Sequence, residues 1–170
     1  MNALGNPRVV EYINENFVST YLKVGTFQIV NGQKVGGNVA SYFCLGDGTV
    51  LHAVPGQVGA DQFLTEARWA YEVRKSALTH STDLRARQVD KRKYAEVVRQ
   101  AHLERYSADA GSNWGNRQTL PLSMPRNVNQ QTQAHWLLAS NPLPQIDRVY
   151  PTVWTQILRE QLSTLPVEKR

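Results

Sequence analysis

Residues 41–54, SYFCLGDGTVLHAV, decide how this chain is read. Residues 41–45 are a short, nearly continuous apolar run, the pattern of a strand buried on both faces. Asp47-Gly48 is a tight-turn signal, and residues 49–54 read as the returning strand of a hairpin. Pro55-Gly56 then breaks the strand.

Moving toward the N-terminus, residues 31–38 hold three glycines and read as a loop. Residues 17–24, FVSTYLKV, are rich in β-branched and aromatic side chains and predict a strand. Asn6 followed by Pro7 predicts a helix start, with Asn6 as the cap and Val9, Val10 and Ile13 as a short apolar face. In the other direction, Leu64, Ala67, Tyr71 and Leu78 follow helical spacing over residues 60–78. Asp61 and Glu66 lie early in that helix and Arg74 and Lys75 late, as the helix dipole favours.

The second half changes character. Residues 83–106 are charged and proline-free and predict one long helix, with Tyr94, Val97, Val98 and Ala101 on one face. Residues 111–127 read as an irregular connection and 131–139 as a short helix. Pro142, Pro144 and Pro151 punctuate the rest. Pro151 is placed to open a last helix carrying Trp154, Ile157, Leu158 and Leu165 as an apolar stripe.

The order helix, strand, loop, buried strand, Asp-Gly turn, strand, Pro-Gly, helix resembles the second half of a bacterial thioredoxin-like domain. The wording of NPRVVEYINENFVSTYLKV and SYFCLGDGTVLHAVPGQVGADQFLTEARWA is similar to that family as well. The resemblance covers residues 1–78. It implies an α/β fold, an incomplete thioredoxin-like βα sheet domain followed by a mostly helical extension over residues 79–170. The family's Cys-x-x-Cys segment and the strand before it would lie upstream of Met1. The family's proline before the buried strand is replaced by Ala40. Without the missing strand, residues 17–24 and 41–45 would expose unpaired edges. Upstream residues, direct pairing of the two strands, or another segment or subunit could fill that gap.

Chemistry is constrained by what is absent. One cysteine, Cys44, excludes a two-cysteine thiol–disulfide cycle within the chain. No basic residue or histidine neighbours Cys44, so it reads as a small buried hydrophobe rather than a reactive or metal-binding thiol. His52, His80, His102 and His135 show no metal-ligand spacing; His52 is expected to face solvent or a helix edge, with a zinc site the remote alternative. There is no P-loop, GxGxxG or nucleophile elbow, and the glycines at 32, 36 and 37 read as a flexible loop. No catalytic residue, metal or cofactor is expected.

Net charge is +5, and residues 79–170 hold all of it. Arg85, Arg87, Lys91, Arg92, Lys93 and Arg99 could meet phosphates. Residues 83–105 nevertheless carry seven basic and four acidic side chains, which reads as a solvated helix face. Trp114, Trp136 and Trp154 could pack on another surface or back onto residues 1–78. The candidate interaction residues are therefore Trp114, Trp136, Trp154, Arg85, Lys91, Arg92 and Lys93.

The function expected is a non-catalytic thioredoxin-like interaction or assembly module, pairing with a protein partner or itself through an open sheet edge. The alternatives are the C-terminal part of a thiol–disulfide oxidoreductase, with its dithiol upstream of Met1, and a weak nucleic-acid binder. Nucleic acid is the less favoured partner. No run of about 18 apolar residues exists, so no membrane span is expected. If Met1 is the true start, the absence of a signal peptide predicts a cytoplasmic protein.

Overall fold

Capping and turn chemistry set the elements of the computed structural model, which describes residues 3–25, 27–83, 85–110, 120–163 and 168–169. Helix α1 (Pro7–Asn16) starts as expected, with the Asn6 side chain accepting from the Arg8 amide at 3.0 Å. The strand expected at residues 17–24 shrinks to β1 (Leu22–Lys23), because Phe17 turns inward instead. Its ring packs 5.3 Å from Phe43 and 6.4 Å from Tyr12. The loop expected at 31–38 is largely a hairpin of β2 (Phe27–Val30) and β3 (Gln33–Gly36). Asn31 and Gly32 have φ of 52° and 77°, the left-handed pair that a type I′ turn requires.

The central hairpin forms where residues 41–54 place it, as β4 (Ala40–Cys44) and β5 (Val50–Pro55) paired antiparallel. Gly48 takes φ 83° at the turn, and the Asp47 carboxylate accepts from the Thr49 amide at 3.0 Å. The strand buried along its whole length is β5, whereas in β4 only Phe43 is buried and the rest are half-buried. The reason is that helices cover β5. Gly59 precedes α2 (Ala60–Ser81), which carries Phe63, Leu64, Ala67, Ala70, Val73 and Ala77 on its buried face.

The long helix expected from residue 83 starts later. The Asp83 side chain accepts from the Arg85 and Ala86 amides and turns the chain. A small hairpin, β6 (Thr82–Asp83) with β7 (Gln88–Val89), results. Asp90 then caps α3 (Lys91–Asp109) through the Arg92 and Lys93 amides. Helix α4 (Gln130–Ser140) is capped by Asn129. Pro151 does not open the last helix but sits inside α5 (Ile146–Thr152). Its missing N–H interrupts the ladder, which resumes as a π turn over Val153–Ile157, with the Leu158 amide on the Val153 carbonyl at 2.8 Å. Leu165 lies outside the described residues. Strand β8 (Glu168–Lys169) pairs with β1.

Among the described residues the architecture is mixed α/β, with helices on short two-stranded antiparallel sheets. Residues of β5 reach into three apolar clusters. Val50 and Ala53 pack with Ala134, Leu138, Val153, Trp154 and Ile157. Val54 packs with Val9, Phe43, Phe63 and Ala67, and Leu51 with Val73, Ala77, Tyr94 and Val98. Each fully buried Val or Leu contributes about 1.5–3 kcal/mol. The second half of the chain thus shares its core with the first. No helix is long and apolar enough to cross a membrane among the described residues.

Candidate metal centre

His52 stands in the middle of β5, where every neighbour is buried, and its own residue is 0% exposed. This overturns the expectation that it faces solvent or a helix edge. His102 of α3 and His135 of α4 are also 0% exposed. The three rings form a near-equilateral triangle, with centroids 5.7, 5.2 and 5.1 Å apart. One ligand-capable nitrogen from each ring lies within 4.8 Å of the others. Helix α2 closes the group with two side chains one turn apart. Glu66 reaches His52, and the half-buried Trp69 sets its ring 4.7, 4.9 and 5.2 Å from the three imidazoles.

Hydrogen bonds fix the tautomers. The Leu51 carbonyl can only accept, so His102 Nε2–H donates to it at 2.8 Å. His102 is neutral, because burial first, then the nearness of the His52 ring and the Arg105 charge, outweigh the Leu51 carbonyl and push it down to about 3. Its Nδ1 is therefore a lone pair, and His135 Nδ1–H donates to it at 2.9 Å. Burial likewise holds His135 below the ordinary range, so its Nε2 is bare. Glu66 accepts from His52 Nε2–H at 2.9 Å. Burial opposes ionisation of Glu66, but the His52 contact and the charge of Arg105 outweigh it and keep the carboxylate charged. Burial also lowers His52, with Glu66 opposing, so His52 Nδ1 is bare too.

The result is a core with two buried imidazole lone pairs, His52 Nδ1 and His135 Nε2, that no hydrogen-bond donor among the described residues meets. A buried polar atom left unmatched costs about 1–3 kcal/mol, so such atoms call for an explanation. A metal ion supplies one for His52 Nδ1, and on binding it would take the place of the proton held between the facing Nδ1 atoms of His102 and His135, that proton moving to His135 Nε2. With Zn–N near 2.0–2.1 Å, ring centres lie about 3.2 Å from a tetrahedral ion and hence about 5.2 Å from one another, which matches the triangle. The second contacts fit as well. Ligating histidines characteristically donate their other N–H to a carboxylate or a carbonyl, as His52 does to Glu66 and His102 to Leu51. Imidazole nitrogens suit zinc, copper, nickel and iron rather than magnesium or calcium. His80 is exposed and takes no part.

The residues singled out from sequence lie elsewhere. Trp154 is 5% exposed and occupied by the core. Trp136 is half-buried and donates to the Pro121 carbonyl at 3.1 Å. Trp114 lies outside the described residues. Arg85 sits in the exposed turn between β6 and β7, and Lys91, Arg92 and Lys93 are exposed in the first turn of α3. Cys44 is half-buried rather than core, and its thiol is pushed up to about 11 by burial and by Asp47. The histidines escaped sequence reading because their ligand positions come from one strand and two helices with no local spacing. One signal was present: a histidine in the centre of the apolar strand over residues 49–54 needs polar company.

No protein-family model, curated protein or solved structure matches the chain. The thioredoxin-like resemblance of residues 1–78 therefore rests on the sequence motifs alone.

Proposed function

We propose that this chain is a metal-stabilised α/β module in which His52, His102 and His135 hold one zinc-class divalent ion. The observation that carries the reading is a ring triangle of tetrahedral size whose ligand-capable nitrogens converge, with His102 Nδ1 facing His135 Nδ1 and His52 Nδ1 buried without a donor among the described residues. The role that fits is a structural staple, because the rings come from β5, α3 and α4 and all three are wholly buried. Three protein nitrogens leave a fourth position, which a water can take. The test is zinc titration of chain stripped with chelator, followed by thermal unfolding. One ion per chain should bind. At a hundredfold excess over Kd, zinc should add about 2.7 kcal/mol, a rise of roughly 5–10 °C for a chain of this size. His135→Leu should abolish the rise. Absence of binding by zinc, cobalt, nickel and copper would sink the reading.

The second reading is a non-catalytic thioredoxin-like assembly module. It is supported by β4, which pairs with β5 alone among the described residues, and by exposed Ile29, Val30 and Val39 nearby in sequence. An open edge beside apolar side chains suits strand addition by a second chain. Light scattering over a concentration series tests it, and a monomer at every concentration removes self-association.

A further inference from the structure

Solvent exposure falls stepwise along one chain of contacts into the metal centre. The Arg105 side chain is 32% exposed, Glu66 5% and His52 0%. Arg105 Nη2 donates to Glu66 Oε1 at 2.9 Å, and Glu66 Oε2 holds His52 Nε2 at 2.9 Å. The Arg105 guanidinium lies 5.6 Å from the Trp69 ring centre, and Trp69 in turn covers all three histidines. Among the described residues Arg105 Nε is buried without a partner, and Glu66 and the Trp69 face are contacts that hold the group down.

We propose that this ion pair governs the metal site, with Glu66 as the positioning residue of His52 and Arg105 as a displaceable cover that opposes the metal. The inference rests on the metal reading above. Glu66 orients His52 by fixing the proton on Nε2, which leaves Nδ1 as the ligand atom, and its charge strengthens that nitrogen as a donor. Arg105 does the reverse. In the metal-free core its charge cancels that of Glu66. A divalent ion at the histidines adds positive charge that Glu66 alone must balance and that Arg105 repels, so occupancy favours Arg105 swinging out to water. The two partners of one salt bridge therefore act on metal affinity with opposite signs. A purely architectural pair cannot do this, because losing either partner would loosen the same packing.

The experiment measures Zn(II) affinity by chelator competition for the wild-type chain, Glu66→Gln, Arg105→Met and Arg105→Lys. Co(II) absorption reports ligand geometry. Glu66→Gln should bind zinc about 10–100-fold more weakly. Arg105→Met should bind it roughly tenfold more tightly and take it up faster, while Arg105→Lys, which keeps the charge, stays near wild type. All variants that bind should keep the tetrahedral Co(II) spectrum. If Glu66→Gln fails to fold, the Met and Lys variants at 105 decide by themselves. Equal weakening in Glu66→Gln and Arg105→Met, or Met and Lys variants alike, overturns the ion-pair proposal and leaves the metal centre standing. A wild-type chain that binds neither Zn(II) nor Co(II) overturns both.

Discussion

A thiol gains nucleophilic power by losing its proton, and the surroundings of Cys44 resist that loss. Burial removes water, and Asp47 adds a like charge, so the thiol is pushed up to about 11. Below that value only a small thiolate fraction exists. Native chain should therefore react with iodoacetamide at pH 8 far more slowly than urea-unfolded chain, with the native rate climbing toward pH 11. A native rate equal to the unfolded one would contradict this environment. At the same scale, the reading of Cys44 as unreactive was available from its neighbours in sequence, because local charge is a local property. The role of His52 was not. Its partners Glu66, His102 and His135 are brought to it by packing, and nothing in the spacing of residues 52, 102 and 135 encodes their convergence.

Where elements begin and end, short polar side chains decide. Asp90 accepts from two amides at the start of α3, with Lys91, Arg92 and Lys93 crowded into the turn whose exposed N–H groups already carry partial positive charge. Asp90→Ala should cost about 1 kcal/mol in denaturant unfolding, and Asp90→Asn, which can still cap, less. Gly48 is a second such position. At φ 83° a side chain strains the backbone, and a Cβ there would lie 3.3 Å from the Gln145 amide oxygen, whose Nε2 bonds the Thr49 hydroxyl. Gly48→Ala should lose about 1 kcal/mol or somewhat more, read by the same unfolding curves. Helices over residues 60–81 and 130–140, and the hairpin of β4 and β5, were legible because periodicity and the Asp-Gly turn agree there. The hairpin of β2 and β3 was obscured although Asn31-Gly32 is a strong turn signal, since Gly36 and Gly37 made the whole stretch look structureless. The late start of α3 was hidden for a different reason. Asp83 and Asp90 look like ordinary helix-surface charges until their side chains are seen capping backbone amides.

Across the whole molecule, the wall of aromatic and aliphatic side chains on β5 joins both halves of the chain. Trp154 lies in that wall, and Gly25 lets it come close: a Cβ at Gly25 would stand 3.0 Å from the indole. Trp154→Ala should destabilise the chain by about 3–5 kcal/mol, enough to threaten a fold of ordinary stability, and its midpoint in urea measures this. Resemblance in residues 1–78 alone could not foresee that residues 130–158 complete the same core. The metal centre adds a matter of timing to this joining. Its first imidazole is synthesised at residue 52 and its last at residue 135, so a chain still growing through the intervening helices owns half a binding site and no staple. Zinc would then favour only the state in which the late helices have already docked on the early strand, acting as a check on completion rather than as a seed. Refolding with zinc present from the start should consequently leave the folding rate nearly unchanged and slow unfolding instead, the signature of an interaction made after the rate-limiting step.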